Sequence, residues 1–237
     1  MNIVIPMAGL GSRFPSYLYP EPKPLIKVRG KPMIAIAIES LDLDGDYFII
    51  IAKNKYSERI KNTVIQVKPT CRFLEIDYVT EGPAKSALLF RENINNDEEL
   101  IIANCDQIME CNSKAFVHNI RLYEGAVVTY HTDTTKNSYA RVNRQGFVVE
   151  VREKEVISNI SLNGIHYWKK GSYFVESAER MIEMEDRAPN GEFFIGPSFN
   201  YMVERGLCVG IHHIPNQQHN AVGVPEDLNK YIKKYED

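Results

Sequence analysis

The sequence is poor in cysteine: there are four in 237 residues, and no two of them form a C-x-x-C pair. They stand at positions 71, 105, 111 and 208. Without paired spacing, the sequence indicates neither a structural zinc site nor a disulfide framework. Reduced thiols are the default state in the cytoplasm, so we predict a cytoplasmic protein.

An excess of basic charge is also missing, because 28 Lys and Arg face 31 Asp and Glu and give a net charge of -3. This balance argues against a nucleic-acid-binding surface, and it implies that an anionic ligand would be held by local cations. No apolar run reaches the length of a membrane span. The first apolar run is too short, and too poor in flanking basic residues, for a signal peptide. We expect a soluble protein with neither nucleic acid nor membrane as partner.

Internal repeats, low-complexity tracts and linkers rich in Gly, Ser or Pro are absent as well. The length suits one large domain, and we predict a single domain over 1–237. The hydrophobic pattern changes near 133–138. We place a soft division there, between a first part, 1–135, and a second part, 136–237.

Apolar runs alternate with helical patterns through the first part. Strands are predicted at 3–7, 47–52, 73–79, 100–104 and 126–130, and helices at 32–41, 57–66, 83–92 and 113–123, the last capped by Ser113. The second part predicts a hairpin around Gly146, strands at 164–168 and 207–212, and helices at 172–183, 197–205 and 225–235. Such alternation predicts an α/β fold whose parallel strands are covered on both faces. In such sheets ligands bind at the carboxyl ends of the strands.

The first strand runs directly into a glycine loop, Ala8-Gly9-Leu10-Gly11-Ser12, which is followed by Arg13. Two glycines one residue apart let backbone N–H groups turn toward an anion. Lys23 adds a second cation after a proline-rich loop. Phe14 stands where a dinucleotide fingerprint needs a third small residue, and no Gly-Lys-Ser/Thr closes a Walker A loop. We therefore predict a phosphate-holding loop; the alternative is a glycine turn that merely links a strand to a loop.

The segment G-x-G-x-R-F, followed by Lys23-Pro24 and then by Gly30-Lys31-Pro32-Met33, resembles the opening motif of the sugar-phosphate nucleotidylyltransferases. Similar motifs follow in matching order as far as Leu228. The resemblance implies a Rossmann-like, GT-A-like architecture with a mixed, mainly parallel sheet flanked by helices. It also implies Mg²⁺ as cofactor and transfer of a nucleotidyl group from a nucleoside triphosphate to a phosphorylated acceptor, with release of pyrophosphate. The first part would then bind the nucleotide and the second part the acceptor.

The resemblance assigns roles on the nucleotide side. Arg13 and Lys23 would neutralise the triphosphate, which the glycine loop would wrap. The residues that would border the base and ribose belong to one strand-to-helix turn: Glu81, Gly82 and Ala84. For Glu81 an ordinary structural role in that turn stays open.

Asp106 follows the buried strand at 100–104, and a carboxylate there suits Mg²⁺. Its alternative role is a turn cap. In sugar-specific relatives a second Asp, in W-x-D-x-G-T-P-E, shares the metal. Here Ala221 takes that position, although Gly223 and Pro225-Glu226-Asp227-Leu228 remain. Asp106 would then hold Mg²⁺ with phosphate oxygens and water alone, or the acceptor is not an ordinary sugar 1-phosphate, or activity is lost.

On the acceptor side the resemblance points to four residues. Lys154, in a V-x-E-K-like segment, would hold the acceptor phosphate, although a solvated charged strand end is the alternative. Gly164 and His166 lie in a G-x-Y-like segment that would line the acceptor pocket. Glu192, in a G-E-Y-Y-like segment, would contribute to specificity.

The departure at Ala221 resembles a branch of cytidylyltransferases associated with capsule and surface-polysaccharide modification, which act on acceptors such as phosphocholine or phosphoglutamine. We therefore expect CTP and a small phosphorylated acceptor. One alternative is a sugar-1-phosphate nucleotidylyltransferase that uses UTP, GTP or dTTP. Another is a non-catalytic nucleotide-binding regulatory protein, which Ala221 alone supports. The sequence leaves the oligomeric state open, a homo-oligomer included.

Overall fold

A nine-stranded sheet organises the molecule, and the computed structural model describes residues 1–9 and 11–236. The strands are β1 Asn2–Met7, β2 Lys27–Val28, β3 Lys31–Pro32, β4 Asp46–Ala52, β5 Arg72–Ile76, β6 Leu100–Ala103, β7 Gln107–Met109, β8 Gly125–His131, β9 Ser138–Val142, β10 Val148–Glu153, β11 Ile160–Trp168, β12 Val209–His213 and β13 His219–Ala221. The helices are α1 Met33–Leu41, α2 Ser57–Val67, α3 Pro83–Leu88, α4 Arg91–Ile94, α5 Ser113–Ile120, α6 Gly171–Glu183, α7 Ser198–Glu204 and α8 Pro225–Lys233, with 3₁₀ turns at Lys23–Leu25 and Asn216–Gln218.

The large sheet runs β10-β9-β11-β6-β1-β4-β5, with β8 beside β11 and β12 beside β8. Strands β6, β1, β4 and β5 are mutually parallel, whereas β11 is antiparallel to both β6 and β8. The predicted α/β architecture, a mixed and mainly parallel sheet flanked by helices, is confirmed. The carboxyl ends of β1 and β6 come to the same edge because these strands are parallel neighbours.

The inner strands are apolar on both faces because each face has its own core. Val4 and Phe48 pack into a core beneath the helices of the second part, with Trp168 and Phe199. Their neighbours Ile3 and Tyr47, together with many others, form a second core on the opposite face. Successive strand side chains point to opposite faces, so a run without polar alternation is the pattern that such a sheet requires.

Two predictions about helices are wrong: the continuity of one helix and the N-cap of another. The helix predicted at 83–92 is two short helices, because Leu89 and Phe90 donate to carbonyls three residues back, at Ser86 and Ala87, and tighten the chain. Ser113 does not cap α5. The Asn112 side chain accepts from the backbone N–H of Ala115 at 3.1 Å, while the Ser113 hydroxyl is drawn away to the carbonyl of Leu41.

Several strand boundaries also differ. The strand predicted at 73–79 ends at Ile76, and the one predicted at 164–168 starts at Ile160. Within β11 the pairing with β8 shifts register between Leu162 and His166, where Gly164 has φ of +95°. The bulge hid the continuity of this strand from its sequence, since the apolar pattern is interrupted there. Within the described residues, no helix is long and apolar enough to cross a membrane.

The turn before α3 is fastened to a segment more than a hundred residues away in the chain. The backbone N–H of Ala84 donates to the Phe193 carbonyl at 3.0 Å, and that of Phe193 donates to the Glu81 carbonyl at 2.7 Å. Gly82 lies between them with φ of +121° and ψ of 170°, and a Cβ on it would press into the Phe193 backbone. This conformation is essentially restricted to glycine. The two parts of the chain are thus joined through their backbones.

Replacing Gly82 by alanine should lower the free energy of unfolding by about 3 kcal/mol, since backbone strain adds to the collision with Phe193. Gly146→Ala is the matched control, because Gly146 also has positive φ, +86°, but its Cβ would meet nothing within 4 Å. The control should lose about 1 kcal/mol. Urea denaturation measures both, and equal losses would contradict the close approach of these backbones.

Candidate active site

An ion pair connects the loop that follows β1 with the end of β6. Lys23 stands in the 3₁₀ turn that ends the proline-rich loop, and its ammonium contacts Oδ2 of Asp106, which follows β6. Their side chains are 13% and 16% exposed. Burial disfavours the charged form of Lys23, but the Asp106 carboxylate outweighs this effect and raises the pKa of Lys23. Lys23 and Asp106, which the sequence singles out separately, are therefore in direct contact.

The glycine loop lies against the same pair. Gly11 has φ of +63°, and a Cβ on it would stand 3.2 Å from the Lys23 Cβ. Ala8 is buried, whereas Gly9, Ser12 and Arg13 are at the surface or close to it. Leu10, which the sequence places in this loop, lies outside the described residues. The glycine loop, Lys23 and Asp106 thus surround one opening at the carboxyl ends of β1 and β6, which we call the mouth, as the motif order implies.

The segment that has lost the second carboxylate lies beside Asp106. Strand β13 pairs with β7 so that Ala221 faces Gln107, and the N–H of Val222 donates to the Asp106 carbonyl at 2.9 Å. A Cβ on Gly223 would overlap Oδ2 of Asp106. The position at which the resemblance predicts a second Asp is therefore next to the candidate metal ligand, and here Ala221 offers only a methyl group.

The donors available for a metal are few. In the part of the chain that the structure describes, no three His, Cys, Asp or Glu side chains come together as a possible metal site. Mg²⁺ commonly takes one or two carboxylates and completes its shell with substrate phosphates and water. The carboxylate of Asp106 fits a metal that arrives on phosphate oxygens. It does not suit a metal held by protein side chains alone, since Lys23 already occupies it.

A second charged group borders the mouth, and sequence reasoning missed it. Asp227 stands in the first turn of α8; burial raises its pKa, while nearby Lys136 and Arg13 oppose that rise. The segment containing Asp227 was recognised in the sequence without a role for this carboxylate. Lys136 belongs to no motif, and only the folded structure brings its charge within range of Asp227.

Candidate acceptor residues gather at the end of β10. Lys154 has φ of +58°, its backbone N–H donates to Asn137 at 2.8 Å, and its ammonium stands 4.7 Å from the centre of the Phe194 ring. Next to it, Glu153 is buried and accepts from the Ser138 hydroxyl. Burial raises the pKa of Glu153, and the charge of Glu192 adds to that rise. The charge of Glu192 therefore acts on Glu153, the residue that precedes Lys154.

Glu81 has a structural role in its turn. Its carboxylate pairs with Lys85 and, at 2.7 Å, with Arg187, whose guanidinium stacks 4.1 Å from the centre of the Phe193 ring. Hydrogen bonds from Lys85, which has the larger effect, and from Arg187 lower the pKa of this half-exposed carboxyl. These contacts favour the alternative that Glu81 fixes the turn, while contact of Gly82 and Ala84 with a nucleotide stays a prediction.

The placement of His166 corrects the expectation that it lines the acceptor pocket. Its ring is 6% exposed and stacks against Trp168 and Phe199 in the core. Burial lowers its pKa to about 4, so the imidazole is neutral. His166 lies on the same face of β11 as Leu162 and Trp168, which are both core residues. Gly164, by contrast, stands at the end of β6, where its carbonyl accepts from the N–H of Asn104 at 3.1 Å.

The chain is similar to known proteins over most of its length. A family model described as "MobA-like NTP transferase domain" matches residues 3–152, which include the glycine loop, Lys23 and Asp106. The bifunctional protein GlmU of Methanocaldococcus jannaschii is 26% identical over 241 residues, which cover 98% of this chain and 54% of that protein. The chain thus spans about half the length of the curated relatives it matches.

Two solved structures share the fold. A nucleoside-diphosphate-sugar pyrophosphorylase from Vibrio cholerae RC9 superposes with a TM-score of 0.86 at 19% identity, covering 98% of this chain and 99% of the other. An inositol-1-phosphate CTP transferase from T. maritima gives 0.75 at 16% identity, covering 99% and 96%. At these identities the likeness is one of architecture.

The raised pKa of Glu153 predicts a pH-dependent stability. A buried carboxyl with a raised pKa favours its protonated form in the folded state, so its contribution becomes less favourable as the pH rises above the pKa of an ordinary glutamate. Glu153→Gln should therefore gain stability relative to the native chain as the pH rises above that value, because glutamine carries no ionisable proton. Urea denaturation at several pH values measures this. Exposed Glu155→Gln makes the same charge change and should show no such trend. A flat difference for Glu153→Gln would contradict its buried placement.

Proposed function

The chain belongs to the MobA-like NTP transferase family, and from that premise we propose that it is a nucleotidyltransferase of the sugar-phosphate type. It would join a nucleoside triphosphate to a small phosphorylated acceptor. An oxygen of the acceptor phosphate attacks the α-phosphorus in line, and pyrophosphate leaves. The observation that carries the proposal is the enclosed Lys23–Asp106 pair against the glycine loop, within the segment that the family model matches.

Catalysis in this proposal is positioning and charge neutralisation. The backbone of the glycine loop, with Arg13 and Lys23, holds the triphosphate and balances the charge that develops on pyrophosphate. Mg²⁺, when bound, would add positive charge at the phosphates, and Asp106 would hold it. No protein nucleophile is needed. Cys105, next to Asp106, is unsuited to that role because burial raises the pKa of its thiol to about 11.

The acceptor would lie on the side of the second part of the chain. Lys154 would bind the phosphate of the acceptor as a point charge, and its contact with Phe194 orients the ammonium. Glu192, hydrogen-bonded by Asn190 at 2.7 Å, would accept from hydroxyl groups of the acceptor. Gly164 would contribute backbone at the end of β6.

A phosphorylated sugar or polyol is the acceptor class we favour. The name of the nucleoside-diphosphate-sugar pyrophosphorylase supports a sugar phosphate, whereas the name of the inositol-1-phosphate CTP transferase supports both a polyol phosphate and CTP. CTP remains our preferred nucleotide on the sequence resemblance, with UTP, GTP and dTTP as alternatives. A place in capsule or surface-polysaccharide synthesis is a hypothesis that depends on that choice.

Pyrophosphate release tests the proposal. The protein is incubated with Mg²⁺, each of five nucleoside triphosphates, and a panel of sugar 1-phosphates, inositol 1-phosphate, phosphocholine and phosphorylated amino acids. We expect release with one pair of substrates, dependent on acceptor and abolished by a chelator. Triphosphate binding without release anywhere in the panel would favour a regulatory nucleotide-binding protein. Absence of binding as well would overturn both readings.

Lys154→Met should raise the KM for the acceptor by about 10- to 100-fold, because a charge-assisted phosphate contact is lost. The KM for the nucleotide should not change. Lys169→Met is the matched control, since Lys169 is an exposed lysine that follows β11. Steady-state kinetics with one substrate varied at a time separates the two constants. An unchanged acceptor KM would mean that Lys154 is a solvated strand end.

A further inference from the structure

We propose that the ion pair between Lys23 and Asp106 is a latch that keeps divalent metal out of the free protein, so that metal enters only with the triphosphate. The inference rests on the proposed function and adds an order of events to it. In the free protein Lys23 is the partner of Asp106. When a triphosphate binds, Lys23 transfers to the phosphates and Asp106 becomes free for the metal that they carry.

The pair differs from the other ion pairs among the described residues by its enclosure. Its side chains are 13% and 16% exposed, whereas the next most enclosed pair, Lys61 with Glu75, has 22% and 28%. The partners are 83 residues apart in sequence and belong to different segments. Reduced exposure to water strengthens the attraction between two opposite charges. A metal ion would have to displace an ammonium that is bound more firmly than at the surface.

Among the described residues, no group of three His, Cys, Asp or Glu side chains forms around Asp106 to help a metal in that competition. The position that would supply a second carboxylate is Ala221, and Gly223 packs directly against Asp106. Mg²⁺ loses its water reluctantly, and one carboxylate repays little of that cost. Displacing Lys23 would also leave an ammonium beside a divalent cation. The free site therefore favours the lysine.

A triphosphate reverses the preference of Asp106 for Lys23 over a metal ion. Its phosphate oxygens bind the Lys23 ammonium, and the metal that it carries binds the Asp106 carboxylate. Lys23 is flanked by Pro22 and Pro24, which hold the backbone, so the movement falls to its side chain. The glycine loop lies close to the base of that side chain, since a Cβ added to Gly11 would stand 3.2 Å from the Lys23 Cβ. Arg13 is near enough for its charge to oppose that of Lys23. Phosphate oxygens held by the loop would relieve this repulsion and accept the ammonium.

A double-mutant cycle tests the latch with inorganic tripolyphosphate as the probe, in the presence of EDTA, by calorimetry. Four proteins are compared: the native chain, Asp106→Asn, Lys23→Met and the double variant. We expect Asp106→Asn to bind the probe about tenfold more tightly than the native chain, because Lys23 no longer has a competing partner. In the Lys23→Met background the same change should give almost no gain. An equal gain in both backgrounds would reflect simple repulsion between Asp106 and phosphate, and would overturn the latch.

Metal uptake gives a second readout, with Mn²⁺ alone as the probe and the paramagnetic signal of free Mn²⁺ as the measurement. Lys23→Met should bind Mn²⁺ about tenfold more tightly than the native chain without any phosphate present. Lys31→Met is the control, since it frees the exposed carboxylate of Glu39, and it should match the native chain. Native protein that binds Mn²⁺ as well as Lys23→Met does would contradict the proposal.

Misfolding of a variant, and failure of the proposed transferase function, can each be distinguished from failure of the latch. Thermal melts check each variant, and Lys23→Gln, which carries no charge, replaces Lys23→Met if the latter is unfolded. If the effects of the Lys23 and Asp106 substitutions are coupled but no substrate pair releases pyrophosphate, the latch is supported and the proposed transferase function is rejected. Release of pyrophosphate with additive effects in the cycle would remove the latch alone.

Discussion

The enclosed contact between Lys23 and Asp106 fixes the geometry of the mouth. It joins the loop that follows β1 to the end of β6, and Asp106 in turn supports the segment around β13 through its backbone carbonyl and through Gly223. Three distant stretches of chain therefore converge on one pair of opposite charges. Taking these groups out of water is costly unless each has a partner, so the pair constrains where all three stretches can lie.

The sheet makes this convergence possible. Parallel pairing of β1 with β6 brings their carboxyl ends to one edge, and the antiparallel β11 continues the sheet toward β9 and β10. The second part of the chain thereby extends the same platform instead of forming a separate sheet. Backbone hydrogen bonds between the turn at Gly82 and Phe193 connect the two parts of the chain at a second place. The candidate nucleotide and acceptor residues consequently lie around one continuous sheet.

Backbone strain and a buried carboxyl occur together at the end of β10. Lys154 adopts positive φ, which is unfavourable for a residue with a side chain, and Glu153 before it is a buried carboxyl with a raised pKa. Neither feature improves stability. Both persist because the bonds to Asn137 and Ser138 hold the end of β10 in place. Costs of this kind are common where a side chain must be presented in one orientation.

Local pattern alone determined much of this protein. The apolar runs of β1, β4 and β6 required a two-faced sheet, and the glycine loop with Arg13, Lys23 and Asp106 indicated an anion site, because burial and turn formation act over a few residues. The tertiary structure decided what depends on distant partners. It paired Lys23 with Asp106, brought the charges of Arg13 and Lys136 within range of Asp227, engaged Glu81 with Arg187, and placed His166 in the core. A short segment does not encode which remote backbone or charge will pack against it, and that packing sets whether a side chain faces solvent, a ligand or the core.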